Sequence, residues 1–418
     1  MRIVYWHAAC QTIETESLRV LTDPWFGCGD GTGGGNYDGA WAPSVPLPPL
    51  PTILDHIGAV DYIYLSHVHP DHYSAEFLRA YLALHPATRL LASDEPLLQA
   101  ALQRDGLRAA TRVEPLAGIW VLRHPVDALD SALVVVAGDY AAVHLNDCRY
   151  HEAWAEQIKR LCGDRPVVAF LPYLGAGEWP QTYAMPPTEQ ARAAAQKRAA
   201  FKEMFCKFVD TLQPTRAVPV AGESQYVGPL AALNPLRGLP TAQEAALWRL
   251  PGHALYYGDT IDLAKDALVP NAVLAWEPAP PPPFLGYRYE RDFVGIAPER
   301  LEPLCRTLAP RAAHNLLARQ TLKKSPYWLA VGTERQCYTA LDLSGRWGVR
   351  PAMAWREVEK LGEPREEMQL DPRALFGVLT GLYNWNTLMG GAHLRCRRVP
   401  LETYVEAVYY ELLPRLHV

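Results

Sequence analysis

Ser66-His67-Val68-His69-Pro70-Asp71-His72 is the stretch that decides how this chain is read. Four metal-capable side chains fall within six residues, directly after the apolar run Val60-Asp61-Tyr62-Ile63-Tyr64-Leu65. That run has the composition of a buried strand, so the cluster is expected where a strand gives way to a loop. Imidazole and carboxylate at this density suit zinc, iron or manganese, whereas calcium and magnesium prefer all-oxygen sites. In an extended segment His67, His69 and Asp71 share one side, and a tight turn can bring His72 round to a second metal. The competing reading, a solvated polar loop with chance histidines, is disfavoured by the density of the spacing.

The chain has 418 residues, 49% hydrophobic and 20% charged, with a formal net charge of -5. This is the balance of a globular protein of two or three domains with a large core. No block of Lys and Arg points to nucleic acid or an anionic membrane, and no apolar run approaches the ~20 residues of a membrane span. The opening Met1-Arg2-Ile3-Val4-Tyr5-Trp6-His7 reads as a first strand rather than a signal peptide. The eight cysteines are scattered without a CxxC pair, a chain of this size does not need a disulfide framework, and the cytoplasm is the expected compartment.

Strands and helices alternate along the first part of the chain. Strands are expected at 5–13, 18–22, 60–65, 89–92, 119–123, 132–137, 141–145, 167–171 and 216–220. Helices are expected at 75–85, 95–103, 152–162 and 188–212, the last with Thr188 as N-cap. A loop rich in glycine and then proline covers 27–51. The run Pro278-Ala279-Pro280-Pro281-Pro282-Pro283 favours a stiff, extended connection, which divides the chain into domains at 1–275 and 284–418. The second reads as α+β, with helices at 298–308, 372–383 and 401–413 and strands near 327–332, 337–343 and 350–356.

Candidate ligands gather at strand ends: the 67–72 group, His124 and Asp147. With these spacings, residues 1–260 resemble the metallo-β-lactamase fold superfamily, whose HxHxDH motif matches at His67, His69, Asp71 and His72. The phrases Trp6-His7-Ala8-Ala9-Cys10 and Leu21-Thr22-Asp23-Pro24-Trp25 look like the opening of a subgroup that includes ascorbate-6-phosphate lactonase and N-acylphosphatidylethanolamine phospholipase D. A looser similarity runs to the metallo-β-lactamase-like part of CMP-N-acetylneuraminate hydroxylase. It is carried by His144-Leu145-Asn146-Asp147-Cys148, by the run from Leu171 past Gly175 to Pro180, and by Trp385-Asn386 and Gly391-Ala392-His393-Leu394-Arg395. The Rieske module of that enzyme needs two Cys/His pairs; this chain has one such spacing, Cys148-Arg149-Tyr150-His151, so the module is not expected.

The resemblance implies a four-layer αββα sandwich of α/β class with an additional C-terminal α+β region. It also implies a ligand set: His67, His69 and His124 on one divalent ion, Asp71 and His72 on the other, and Asp147 bridging them, with Asp71 also catalytic. Two ions about 3.5–4 Å apart can share a hydroxide and stabilise an oxyanion, and coordination lowers the pKa of water to roughly 7. Zinc is the first choice, iron or manganese the others. His124 could instead cap a strand end, and Asp147 could belong to an Asn-Asp turn. Asp130 is the alternative ligand, one that would harden the site towards iron. The resemblance also implies a final histidine after strand 216–220, but the chain reads Val218-Pro219-Val220-Ala221-Gly222-Glu223. Glu223 could substitute with oxygen; His253 comes late.

Other signals are weaker. Gly29-Asp30-Gly31-Thr32-Gly33-Gly34 fits GxGxxG, but no helix follows, so a mobile loop beside the site is the better reading than a phosphate loop. His7 reads equally as a pocket residue or a packed strand histidine. Cys148 and His151 read as substrate or metal contacts or a helix entry, and Glu178, Trp179 and Tyr183 as pocket wall or core. Arg192, Lys197, Arg198 and Lys202 read as a solvated helix face. His393, Arg395, Arg397 and Arg398 could meet an anionic substrate, although a surface strand with alternating basic residues is the simpler reading.

The leading expectation is a metal-dependent enzyme in which metal-activated water hydrolyses a small-molecule ester, lactone or phosphodiester. The alternatives are an O2-dependent diiron oxygenase or hydroxylase acting on a small molecule, and a metal-stabilised binding protein without catalysis. The C-terminal region is expected to shape the substrate pocket or to form a homodimer interface.

Overall fold

Two β-sheets lie face to face in the part of the chain that carries the histidine motif. The computed structural model describes residues 1–26, 37–110, 118–127, 129–175, 177–271, 284–318, 327–344, 346, 348–405 and 408–418. The first sheet has eight strands in the order Ala267–Val269, Thr260–Asp262, Arg2–His7, Cys10–Glu14, Arg19–Thr22, Tyr62–Leu65, Arg89–Ala92 and Ala109–Ala110. The second has five, in the order Arg216–Val220, Val167–Pro172, Tyr140–His144, Ser131–Ala137 and Ile119–Arg123.

Parallel neighbours need crossover connections, and the helices supply them. Leu50–Ile57, Ala75–Leu84 and Pro96–Arg104 connect the parallel strands of the first sheet, and Glu152–Cys162 and Pro187–Leu212 those of the second. Period-2 alternation sorts the side chains between layers. Leu133 and Val135 face the first sheet, meeting Ile3, Tyr64 and Leu91, while Ala132 and Val134 face the outer helices with Trp154 and Ile158. On the other side Ile63 and Leu65 pack on Phe77, Leu78 and Tyr81 of Ala75–Leu84. Helix, sheet, sheet and helix are therefore stacked as four αββα layers.

A further five-stranded sheet, in the order Val349–Arg350, Cys337–Asp342, Trp328–Gly332, Arg365–Leu370 and Leu394–Val399, belongs to the C-terminal region. Its core includes Cys305, Ala309, Ala313 and Leu316 of helix Pro298–Ala318, and it runs on into Trp25, Tyr37, Trp41, Tyr183 and Tyr226 of the earlier part. Trp41 Nε1 donates to the Gly390 carbonyl at 3.1 Å across this junction.

Several elements differ from the sequence expectation, each for a local reason. The single strand expected at 5–13 is a hairpin, Arg2–His7 and Cys10–Glu14, reversing at Ala8 with φ 49°. The long helix begins at Pro187 rather than after Thr188, with Pro at its first position, where no N–H is needed. Pro298–Ala318 runs ten residues past its expected end at 308 and accommodates Pro303 and Pro310. Burial of Ala309, Ala312, Ala313 and Leu316 outweighs the roughly 3 kcal/mol that an interior proline costs. The helix expected at 372–383 stops at Leu379, because Gly381 takes φ 75°. The strand expected at 350–356 shrinks to Val349–Arg350, followed by helix Trp355–Val358. Of the helix expected at 401–413, the described residues show one π turn, Val408–Leu412, and one 3-10 turn, Leu413–Arg415. The GxGxxG pattern at 29–34 and the proline run at 278–283 lie outside the described residues.

Candidate metal centre

The motif begins where strand Tyr62–Leu65 ends. Its backbone then tightens into a turn: the His69 carbonyl accepts from His72 N at 3.0 Å and from Tyr73 N at 2.9 Å. Ser74 immediately caps helix Ala75–Leu84, its side chain accepting from Phe77 N at 3.2 Å. The turn brings the His72 ring back beside that of His67, centroids 4.2 Å apart, while His69 meets His67 edge-on at 4.6 Å. Asp147 arrives from the other sheet, in the loop after Tyr140–His144. Strand Arg19–Thr22 runs parallel to the motif strand, with Thr22 opposite Tyr64, and so delivers Asp23 beside Ser66.

Two groups of donor atoms result, each within 4.8 Å: His67, His69 and Asp147, and Asp71, His72 and Asp147. His67 Nε2 lies 2.9 Å from His69 Nδ1 and 3.9 Å from Asp147 Oδ2. His72 Nε2 lies 3.5 Å from Asp147 Oδ2 and 3.7 Å from Asp71 Oδ2. His72 Nε2 and Asp147 Oδ1 are buried and make no hydrogen bond. Buried polar atoms without partners are costly, and a cation would satisfy both. Three imidazoles and two carboxylates are a donor set for zinc, iron or manganese. The residues present therefore fit a pair of divalent ions sharing Asp147.

Three of the five ligands, His72, His67 and Asp71, are anchored on their far side. Asp23 is fully buried. Its Oδ1 accepts from Ser66 N at 2.7 Å, and its Oδ2 accepts from Ser66 Oγ at 2.7 Å and lies 3.0 Å from both His72 Nδ1 and His144 Nε2. Burial alone would raise its carboxyl, but the bonds and charges of His144 and His72 outweigh it and hold it well below the usual carboxylate range. Asp130 Oδ1 stands 3.4 Å from His67 Nδ1. Tyr37 Oη donates to Asp71 Oδ1 at 2.8 Å. Burial, with His72 and His69 nearby, keeps the His67 imidazolium disfavoured, so its ring is ready as a neutral ligand. Such carboxylate–imidazole contacts fix the tautomer of a metal-binding histidine.

The structure does not bring His124 into either group. Its Nε2 lies 2.8 Å from the Arg149 carbonyl, its Nδ1 accepts from Asp127 N at 2.8 Å, and its ring meets Trp154 edge-on at 4.9 Å. Both nitrogens are used by backbone, so the ligand role expected of His124 is replaced by that of a residue closing the strand end. Glu223 is also elsewhere: it lies 3.0 Å from His7 Nδ1 and accepts from Tyr5 Oη at 2.9 Å. It thereby ties the first hairpin to the loop after Arg216–Val220, and His7 is the packed strand histidine of that contact. His253 sits against Arg216, 3.5 Å away. His151 caps helix Glu152–Cys162, and Cys148 is buried in the core beneath it. Asp23, His144 and Tyr37 had no role assigned from sequence. For Asp23 a signal existed, since it ends the strand expected beside the motif strand.

Residues 2–184 match the family model for the beta-lactamase superfamily domain. This part of the chain is a beta-lactamase superfamily domain. Among curated proteins, a putative Rieske 2Fe-2S iron-sulfur protein of Mycobacterium tuberculosis is 30% identical over 236 residues, covering 52% of this chain and 43% of that protein. One of Mycolicibacterium smegmatis is 27% identical over 244 residues, covering 54% and 45%. The chain spans less than half the length of these curated relatives. Similar solved structures include a metallo hydrolase from the archaeon Ignicoccus hospitalis, at TM-score 0.42 and 14% identity over 62% of this chain and 97% of that one. They also include isothiocyanate hydrolase from Delia radicum gut bacteria, at 0.42 and 15% over 63% and 99%. A third is a diiron beta-hydroxylase from Streptomyces venezuelae, at 0.38 and 15% over 63% and 54%.

Proposed function

We propose that this beta-lactamase superfamily domain works as a metal-dependent hydrolase of a small-molecule ester, lactone or phosphodiester, with two divalent ions held by His67, His69, Asp71, His72 and Asp147. The observation that carries the reading is the pair of donor groups sharing Asp147, with His72 Nε2 and Asp147 Oδ1 buried and unbonded. A bound metal pair supplies a water nucleophile at neutral pH and stabilises charge on the substrate oxygen. The chain's own residues do the rest. Asp23 and Ser66 orient the His72 and His67 rings through Nδ1, with Asp130 3.4 Å behind His67, which leaves Nε2 facing the centre. Tyr37 fixes one oxygen of Asp71, and the other faces His72 Nε2; from there Asp71 is placed to take a proton from the attacking water. Zinc is the metal this reading takes first, because three imidazoles favour it over magnesium or calcium.

Metal-supported oxidation of a small molecule is the second reading, favoured by the Rieske iron-sulfur description of the curated relatives. Among the described residues only Cys148 and His151 have the close spacing of such a module, and they are committed to core and helix cap. The reducing electrons would thus enter from outside this part of the chain. Elemental analysis of protein purified without added metal, with an absorption spectrum in air, separates the two. Two zinc ions and no visible band support hydrolysis, and two irons per chain sink it. His69→Ala tests the centre itself: unchanged metal content would overturn the assignment.

A further inference from the structure

A cavity of about 510 Å³ opens beside the candidate metal centre, and both parts of the chain build it. Tyr37 and His69, from the metal-centre side, are among its lining residues. Trp179 and Lys197 come from the second half of the sandwich, and Met389, Arg398, Tyr404 and Tyr409 from the C-terminal region. Its charges are not balanced evenly. Arg398 is matched: it donates to Tyr183 Oη at 2.8 Å and to Tyr409 Oη at 2.5 Å, and it lies 3.6 Å from the fully buried Glu366. Lys197 is not. Its ammonium donates to the Trp179 carbonyl at 2.7 Å, and no carboxylate among the described residues stands within ion-pair distance. On the same helix Arg192, Arg198 and Lys202 are exposed, whereas Lys197 is half-buried and faces the cavity.

The two carboxylates in the wall do not cancel that charge. Glu402 is exposed at the rim. Glu178 is buried beside Tyr183, 3.4 Å from its hydroxyl, and makes no ion pair with Lys197; burial raises its carboxyl, with Lys197 and Arg398 opposing. An unmatched, half-buried ammonium in a cavity wall is a place for a ligand's negative group, since a charge-assisted bond there is roughly twice as strong as a neutral one. Trp179 and Tyr404 line the wall, with the Arg398 guanidinium 5.2 and 5.4 Å from their ring centres, and offer apolar surface for the ligand's body, the chemistry that small-molecule pockets combine with a few polar anchors.

We propose that this cavity binds a small organic oxyanion, a carboxylate or a phosphate, whose charged group is held by Lys197 and whose body lies against Trp179 and Tyr404, with its reacting end at His69. The inference rests on the metal-centre reading for the reacting end only. The charged end stands on Lys197.

The test is titration of the full-length protein with phenylacetate, phenyl phosphate and the neutral 2-phenylethanol, followed calorimetrically. At least one anion is expected to bind more tightly than the alcohol. Lys197→Met is expected to weaken that anion by about tenfold or more, the equivalent of one charge-assisted contact. Lys197→Arg, which keeps the charge, is expected to retain most of the affinity, and metal content should be unchanged in both variants. The anion that responds tells carboxylate from phosphate. The proposal is overturned if neither anion binds at millimolar concentration, if the alcohol binds as well as the anions, or if Lys197→Met leaves anion affinity unaltered because the anions sit on the metals. A protein that holds no metal yet loses anion binding in Lys197→Met would sink the metal reading and leave this one standing.

Discussion

Replacing Asp23 by Asn is expected to damage metal binding without touching a ligand. Its carboxylate accepts from four directions: Ser66 N at 2.7 Å on Oδ1, and Ser66 Oγ, His72 Nδ1 and His144 Nε2 on Oδ2. An amide has one oxygen and one NH2. The Ser66 N–H is backbone and cannot turn away, so the amide oxygen must stay at Oδ1 and the NH2 must take the place of Oδ2. There it points a donor at His72 Nδ1. The ring can accept that bond only by moving its proton to Nε2, the nitrogen that lies 3.5 Å from Asp147 and 3.7 Å from Asp71. A protonated Nε2 has no lone pair for a metal. Loss of such an orienting carboxylate weakens metal affinity by about 10–100-fold, or roughly 1.4–2.7 kcal/mol. The measurement is competition for Zn2+ against a chromophoric chelator, with near-ultraviolet circular dichroism to show that the variant is folded. Ser66→Ala, which removes one contact and keeps the charge, is expected to change affinity far less. A folded Asp23→Asn protein that holds metal as tightly as the wild type would refute the reasoning.

The other predictions concern the residues around the centre. His124→Ala should leave metal content unchanged by elemental analysis and lower stability by about 1–3 kcal/mol, because the Arg149 carbonyl loses its donor and the Asp127 N–H its acceptor. Arg398→Met should destabilise the protein by about 3–5 kcal/mol in denaturant unfolding, since it strands the fully buried Glu366. The double variant with Glu366→Gln should be markedly less destabilised than the sum of the two singles, and additive effects would deny the coupling. Anion binding in the cavity should be strongest below pH 7 and fall as pH rises. Burial, then Arg237, push the Lys197 ammonium down to about 7, with Glu178 opposing, while Arg398, His69, Glu402, Tyr404 and Tyr409 share the cavity. The binding form is the protonated one, and a flat profile in calorimetric titrations between pH 6 and 9 would contradict this. Stepwise chelation should remove one ion before the other. One donor group has two imidazoles and one carboxylate and the other the reverse, and a single-step loss of both ions would show the two sites to be equivalent.

The sandwich was legible because its signals are local. Apolar runs such as 60–65 and 167–171, separated by amphipathic helical stretches, appear in the structure as Tyr62–Leu65 and Val167–Pro172 with the helices between them. The C-terminal sheet was less so. Strand Arg365–Leu370 reads Arg-Glu-Glu-Met-Gln-Leu, which looks solvent-facing, yet Arg365, Glu366 and Glu367 are all buried. Glu366 is satisfied by Tyr327 at 2.6 Å, by Tyr409 and Tyr183 at 2.5 Å, and by Arg398. None of these partners is near it in sequence except by strand pairing. Arg398 was therefore misread as part of a basic surface strand, while Arg395 and Arg397 beside it are exposed as the alternation predicts. Lys197 was misread for the same reason: a helix face looks solvated until another part of the chain closes over it.

The same distinction separates the ligands from what surrounds them. All five donor residues lie within 67–147, inside the stretch that matches the superfamily domain, and each follows a strand end that local pattern identifies. What holds them comes from farther away. The Tyr37 ring bonds Asp71, and the Tyr37 carbonyl accepts from the His393 ring at 2.9 Å. A Cβ on Gly390 would come within 2.4 Å of the Tyr37 ring, so the C-terminal region and this tyrosine are fitted to each other at the glycine's surface. The C-terminal region therefore does two things with one set of contacts. It steadies the tyrosine that steadies Asp71, and it brings Arg398, Tyr404 and Tyr409 to the cavity above His69. The proposed function thus assigns metal chemistry to the sandwich, and the proposed anion site assigns selection of what would reach the metals to the junction.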